Sequence, residues 1–315
     1  MGPEPLLVIG TGALAGLFAA RLAAVGHPVG MVGTWAAALD ALQAHGVRVV
    51  DLDGREAAYP VRVWRAAEPG HGFAGALVLV KAWQTERAAR VAATMLPPTA
   101  TVLTLQNGLG PQEVLRAVLG PARVVVGVTT YAARVLEPGR VQATGTGTVD
   151  LARHKATPFW QQVLTRAGFT VRVHDDVQGL IWGKLVINAA INPLTALLDV
   201  PNGALLEDKA ARLFMARAAT EVARVAQALG VRMPFADPVA AAEEVARRTA
   251  ANSSSMRQDL QRGAPTEIDA ICGAVVRMGQ QVGQPAPLNA ALLAMVHEAV
   301  ARRQHASRQK AAPGP

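Results

Sequence analysis

The chain has 315 residues, 51% of them hydrophobic, 17% charged and 4% aromatic, with a formal net charge of +8. This apolar share is enough for one large or two ordinary folded domains, of which two are expected, and excludes an intrinsically disordered chain. Half of the positive excess, four basic residues without an acid, falls in residues 301–315. No Lys/Arg run with interleaved aromatics occurs, which argues against nucleic acid as the partner and favours an anionic small molecule.

In chain order, the run from Leu6 to Val25 comes first. It is apolar, but it lacks a preceding basic region, and glycines at 10, 12 and 16 together with Arg21 interrupt it. It therefore reads as strand, tight turn and helix, not as a membrane or signal segment. The turn, Gly10-Thr11-Gly12-Ala13-Leu14-Ala15, has the G-x-G-x-x-A spacing. The first glycine permits the turn, the second lets the backbone approach a pyrophosphate, and the small Ala15 lets helix and strand pack closely. HPVGMVG supplies a second strand, so the motif stands in the setting of a dinucleotide site; an empty turn of the same shape is the other reading. No acid follows the second strand to bind a ribose 2′-hydroxyl, and Thr34 stands there instead.

Further apolar runs occur near 61–64, at 76–85, 101–110 and 122–133, with helical segments between several of them. Runs around 141–151 and 168–174 read as closing strands. The alternation predicts a parallel α/β sheet. Lys81, Asn107 and the stretch from Thr130 to Ala133 each follow such a run. The carboxyl ends of strands are where these sheets bind ligands, although a lysine or asparagine there is also an ordinary loop residue.

From about 175 the period is helical: 178–198, 204–229, 236–250, 255–262, 266–282 and 287–304. The domains expected are therefore 1–175, a Rossmann-type parallel-sheet domain; 176–300, an all-α domain; and 301–315, a basic, frayed tail. Pro193 should kink or end the first helix near Asn192. On that helix Lys184, Asn188 and Asn192 recur at intervals of four. They lie within about 80° of one another, stacked over about 12 Å, on an otherwise apolar cylinder. The stripe reads either as an active site or as a packing seam with a snorkelling lysine. Two polar clusters, 252–259 and 266–269, read as helix N-caps, ligand contacts or both. Cys272 is the single cysteine. It cannot form an intramolecular disulfide or a cysteine-based metal cluster, so no metal is expected and the chain suits a reducing, cytoplasmic setting.

Together the segments GTGALAG, KAWQT, LQNGLG, GVTTYAA, WGKLVINAAINPLTALL, PNG, NSSSMRQD and TEIDAICG resemble ketopantoate reductase, the 2-dehydropantoate 2-reductase family, over nearly the full chain. The resemblance implies NADPH-dependent reduction of the 2-keto acid ketopantoate to (R)-pantoate, on the route to pantothenate and coenzyme A. It implies Lys184 as proton donor with Glu267 as the second catalytic residue, and Asn107, Asn188, Asn192, Asn202 and Ser255 as substrate contacts. Cofactor contacts would be Gly10, Thr11, Gly12, Ala13, Leu14, Ala15, Lys81, Asn107, Ala133 and Glu267. Thr34 holds the position where members usually place an arginine for the 2′-phosphate, so NADH use stays open beside NADPH.

The chemistry agrees. Hydride arriving at a carbonyl carbon leaves negative charge on oxygen, which an ammonium stabilises and protonates. The chain has five lysines against twenty-six arginines, and a plain positive charge would more readily be arginine. Burial should lower the Lys184 pKa and a neighbouring carboxylate such as Glu267 should raise it. A sister reductase of another branched 2-keto acid and a non-catalytic dinucleotide sensor are the other two readings. No nucleic-acid or membrane partner is expected. A homodimer is compatible with the sequence, which leaves the oligomeric state open.

Overall fold

Four aliphatic residues bounded by Pro5 and Gly10 make the first strand, β1 (Leu6–Ile9), and all four are buried. The computed structural model, which describes residues 3–311, carries the chain on through α1 (Ala13–Ala24), β2 (Val29–Val32), α2 (Ala36–His45), β3 (Val47–Val50), β4 (Glu56–Tyr59), β5 (Arg62–Trp64) and β6 (Gly75–Val78). A 3₁₀ turn at Ala82–Gln84 leads into α3 (Thr85–Met95), followed by β7 (Thr101–Thr104), α4 (Pro111–Leu119), β8 (Val124–Thr129), β9 (Ala132–Glu137), β10 (Arg140–Gly145), β11 (Val149–Ala152), α5 (Thr157–Arg166) and β12 (Val171–His174). The remainder is helical: α6 (Gln178–Leu198), α7 (Ala204–Glu207), α8 (Lys209–Ala228), α9 (Pro238–Arg248), α10 (Ser255–Gln261), a π-helical turn (Asp269–Gly273), α11 (Ala274–Gln281) and α12 (Pro287–Ala311). Two compact units result. One runs to Gln106 and resumes over Pro111–Val177; the other combines Asn107–Gly110 with the chain from Gln178 onward.

In the first unit, eight strands form one sheet in the order β12-β11-β8-β7-β6-β1-β2-β5. Every neighbouring pair is parallel except β8 with β11, so the sheet is parallel over its centre and mixed at one side. β1 lies between β6 and β2, the point from which the connections run to opposite sides and where such sheets bind nucleotides. Pairing continues past the strands: Gly10 N donates to Val32 O at 2.8 Å and Leu79 N to Ile9 O at 2.9 Å.

The sequence reading missed a second sheet of order β4-β3-β10-β9. The run at 122–133, read as one strand, breaks at Thr130–Tyr131 into β8 and β9, which belong to different sheets. The run at 141–151 likewise divides between β10 and β11. The second sheet covers α1, and Gly16 makes that approach feasible, because a Cβ there would lie 2.7 Å from Val141 Cγ1. The core of this unit gathers Phe18 and Phe169, stacked at 4.2 Å, and Trp160, whose Nε1 donates to Thr101 Oγ1 at 3.1 Å.

In the second unit, α6 packs against α8, α9, α10 and α12. It is long and apolar enough to cross a membrane by length and composition, and 67% of its most apolar window is buried. Pro193 lies inside α6 and does not end it. The missing amide is tolerated because the helix is held from outside, and the Thr195 hydroxyl lies 2.9 Å from Ile191 O and 2.7 Å from Ser254 Oγ. The expected helix at 204–229 is interrupted at Asp208, whose side chain caps α8 by accepting from Ala211 N. The one expected at 266–282 opens instead with the π-helical turn. Helix α12 takes in residues 301–311 of the basic terminal segment, and residues 312–315 lie outside the described residues.

Candidate active site

Lys184 sits in the first half of α6, half-buried between the buried residues Gly183 and Leu185. Desolvation pushes its pKa down to about 8, while the Glu267 carboxylate pulls the other way. A lysine in this state holds a proton it can release near neutral pH, which an exposed lysine does not. Asn188 and Asn192 follow on the same face of α6. The first is half-buried and the second 8% exposed.

Glu267 is itself buried and stands just before the π-helical turn, its carbonyl accepting from Ala270 N and Ile271 N at 3.1 Å. Its side chain accepts a hydrogen bond from Asn107 Nδ2 at 3.2 Å. The contact spans 160 residues, and backbone geometry makes it possible. Gly108 adopts φ +80°, and a Cβ there would lie 2.4 Å from Ala270 O. Leu109 N then donates to that same oxygen at 2.9 Å. A chain of neighbours thus runs from Asn107 through Glu267 to Lys184.

Asn202 and Ser255 are placed differently. Asn202 is buried, its Nδ2 donates to Thr249 Oγ1 at 2.9 Å, and its Oδ1 is buried without a partner. Ser255 opens α10 and is exposed, while Ser254 is the cap, accepting from Arg257 N at 3.1 Å. The capping reading of this cluster therefore falls on Ser254, beside the exposed Ser255.

In the first unit, the Gly10–Ala15 loop follows β1. Gly10 adopts φ +133°, and a Cβ there would lie 2.8 Å from Leu79 O. Gly12 is the N-cap of α1 with no side-chain cap, and α1 has no acid in its first turn. A Cβ at Gly12 would meet nothing within 4 Å. The space beside Gly12 at the start of α1 is therefore open, which fits a pyrophosphate at a helix N-terminus. Thr11 and the other loop residues through Leu14 are half-buried, and Ala15 is fully buried.

Lys81 follows β6 and precedes the 3₁₀ turn, half-buried. Gln106, which the sequence reading passed over, bonds this segment to the end of β7. Its Nε2 donates to Val80 O at 3.1 Å and to Thr85 Oγ1 at 2.9 Å. Its place directly before Asn107 was the available signal. Gln84, also passed over, donates from Nε2 to Thr34 Oγ1 at 3.3 Å. Ala133 lies on β9 of the second sheet, opposite Ala143.

The family model described as ketopantoate reductase PanE/ApbA matches residues 6–156, and the one described as its C terminal matches residues 176–300. A 2-dehydropantoate 2-reductase of Halobacterium salinarum is 38% identical over 281 residues, 86% of this chain and 90% of that protein. One from Archaeoglobus fulgidus is 34% identical over 305 residues, 94% of this chain and 98% of that protein. The crystal structure of a PanE/ApbA family ketopantoate reductase from Ralstonia eutropha JMP134 superposes with a TM-score of 0.88 at 30% identity, covering 95% of this chain and all of that one. D-mandelate dehydrogenase with NADH and anilino(oxo)acetate shares the fold, with a TM-score of 0.89 at 24% identity over 95% of this chain and 99% of that one. With both halves of its length matched and relatives above 30% identity along most of it, the chain belongs to the ketopantoate reductase family of oxidoreductases.

Proposed function

We propose that this chain reduces 2-dehydropantoate to (R)-pantoate with NADPH, with Lys184 as the proton donor, in the synthesis of pantothenate and coenzyme A. The observation that carries the reading is the placement of Lys184 on the face of α6 that also carries Asn188 and Asn192, where burial lowers its pKa to about 8 and the Glu267 carboxylate acts against that shift. The reduced nicotinamide, when bound, supplies the hydride. Lys184 Nζ holds the proton that the substrate's carbonyl oxygen receives, and its charge stabilises that oxygen as negative charge develops. Glu267 keeps the ammonium charged against desolvation and fixes the Asn107 amide. Asn188 and Asn192, neutral and on the face of α6 that carries Lys184, orient the substrate's polar groups without competing for the proton. Ser255 offers an exposed hydroxyl for the substrate carboxylate, and Asn202 Oδ1, buried and unpaired, accepts from the substrate's hydroxyl. The Gly10–Ala15 loop, Lys81 and Ala133 hold the dinucleotide.

The test is loss of reduced-nicotinamide absorbance on adding ketopantoate to the purified protein, run in parallel with NADPH and NADH and with a series of other branched 2-keto acids. The expected result is fastest turnover with ketopantoate. Faster turnover on another keto acid reassigns the substrate, and nucleotide binding without turnover on any of them leaves a sensor.

A further inference from the structure

The dinucleotide site raises a question of charge. Thr34, at the carboxyl end of β2, is neutral, and its hydroxyl accepts from Gln84 Nε2. The parallel register of β2 with β5 pairs Val32 with Trp64. Arg65 follows Trp64 directly, so the register brings it to the carboxyl end of β2, where Thr34 lies two residues past Val32. Arg65 is half-exposed, and its guanidinium is bonded to Asp40 in the second turn of α2, the helix that begins two residues after Thr34. Asp40 is exposed as well, so this ion pair is weak and exchangeable. A phosphate carries more charge than a carboxylate and accepts both arms of a guanidinium, so it is suited to compete with Asp40 for this side chain. Paired as it is, Arg65 also neutralises the acid that would otherwise repel an anion at this strand end.

We propose that Arg65 is the specificity residue for the 2′-phosphate of NADPH. This rests on the nucleotide reading above and adds the side chain that decides between NADPH and NADH. Calorimetric titration of the full chain with adenosine 2′,5′-bisphosphate and with 5′-AMP isolates the 2′-phosphate without involving turnover. The wild type is expected to favour the bisphosphate by about tenfold or more, as a charge-assisted hydrogen bond provides. Arg65→Gln removes most of that preference and leaves 5′-AMP affinity unchanged. Asp40→Asn raises bisphosphate affinity several-fold, and much less in the Arg65→Gln background. Thr34→Arg restores the preference in Arg65→Gln. Equal affinity of the wild type for the two fragments, or a preference that survives Arg65→Gln because another side chain holds the phosphate, overturns the assignment and leaves the nucleotide site standing. If neither fragment nor either dinucleotide binds, the nucleotide reading falls and this inference with it.

Discussion

Lys184 and Glu267 oppose one another in a way that can be measured. Desolvation lowers the lysine pKa to about 8 and the carboxylate raises it, so the proton is present below about pH 8 and lost above it. A reaction that needs this proton falls away about tenfold per pH unit on the alkaline side, and kcat/KM for keto-acid reduction should show that limb near pH 8. Glu267→Gln removes the raising influence and should move the limb to lower pH; an unmoved limb would assign it to another group. Lys184→Ala should lower turnover by about 100- to 10,000-fold. Wild-type turnover in that variant would end the assignment of Lys184 as donor.

Helix α1 shows how one hydrogen atom in place of a methyl sets a packing distance. A Cβ on Gly16 would sit 2.7 Å from Val141 Cγ1, in a fully buried contact between α1 and β10. Gly16→Ala should therefore cost about 1–3 kcal/mol in denaturant unfolding through overpacking. Val141→Ala in the same chain should recover much of that loss, whereas independent sites would add their losses. Helix α6 carries its information differently. Its three polar residues at intervals of four were visible as a stripe, and α6 spans the residues expected for it, Gln178–Leu198. Of the two effects expected of Pro193, it does not end α6, because packing of α6 against four other helices holds the helix through the missing hydrogen bond.

Across the molecule the proposed roles divide between the two units. The Gly10–Ala15 loop, Thr34, Lys81 and Ala133 belong to the first; Asn107, Lys184, Asn188, Asn192, Asn202, Ser255 and Glu267 belong to the second. Nucleotide at about 100 times its Kd should stabilise the protein by about 2.7 kcal/mol and raise Tm by about 4 °C. Because Lys184 lies outside the unit that holds the glycine loop, Lys184→Ala should keep this gain. A gain abolished in Lys184→Ala would show that nucleotide binding depends on that amine. What residue order alone settled were features whose physics is local: the strand, turn and helix around Gly10 and Gly12, the period of α6, and the alternation of strands with helices. Tertiary structure decided what depends on distant partners. The second sheet pairs Val49 with Val141, the Asn107 amide meets Glu267 across 160 residues, and Arg65 arrives beside the end of β2 only through strand register. Local periodicity records which face of an element is apolar, but not which remote residue will meet its polar side chains. That is fixed only when long-range pairing closes the chain on itself.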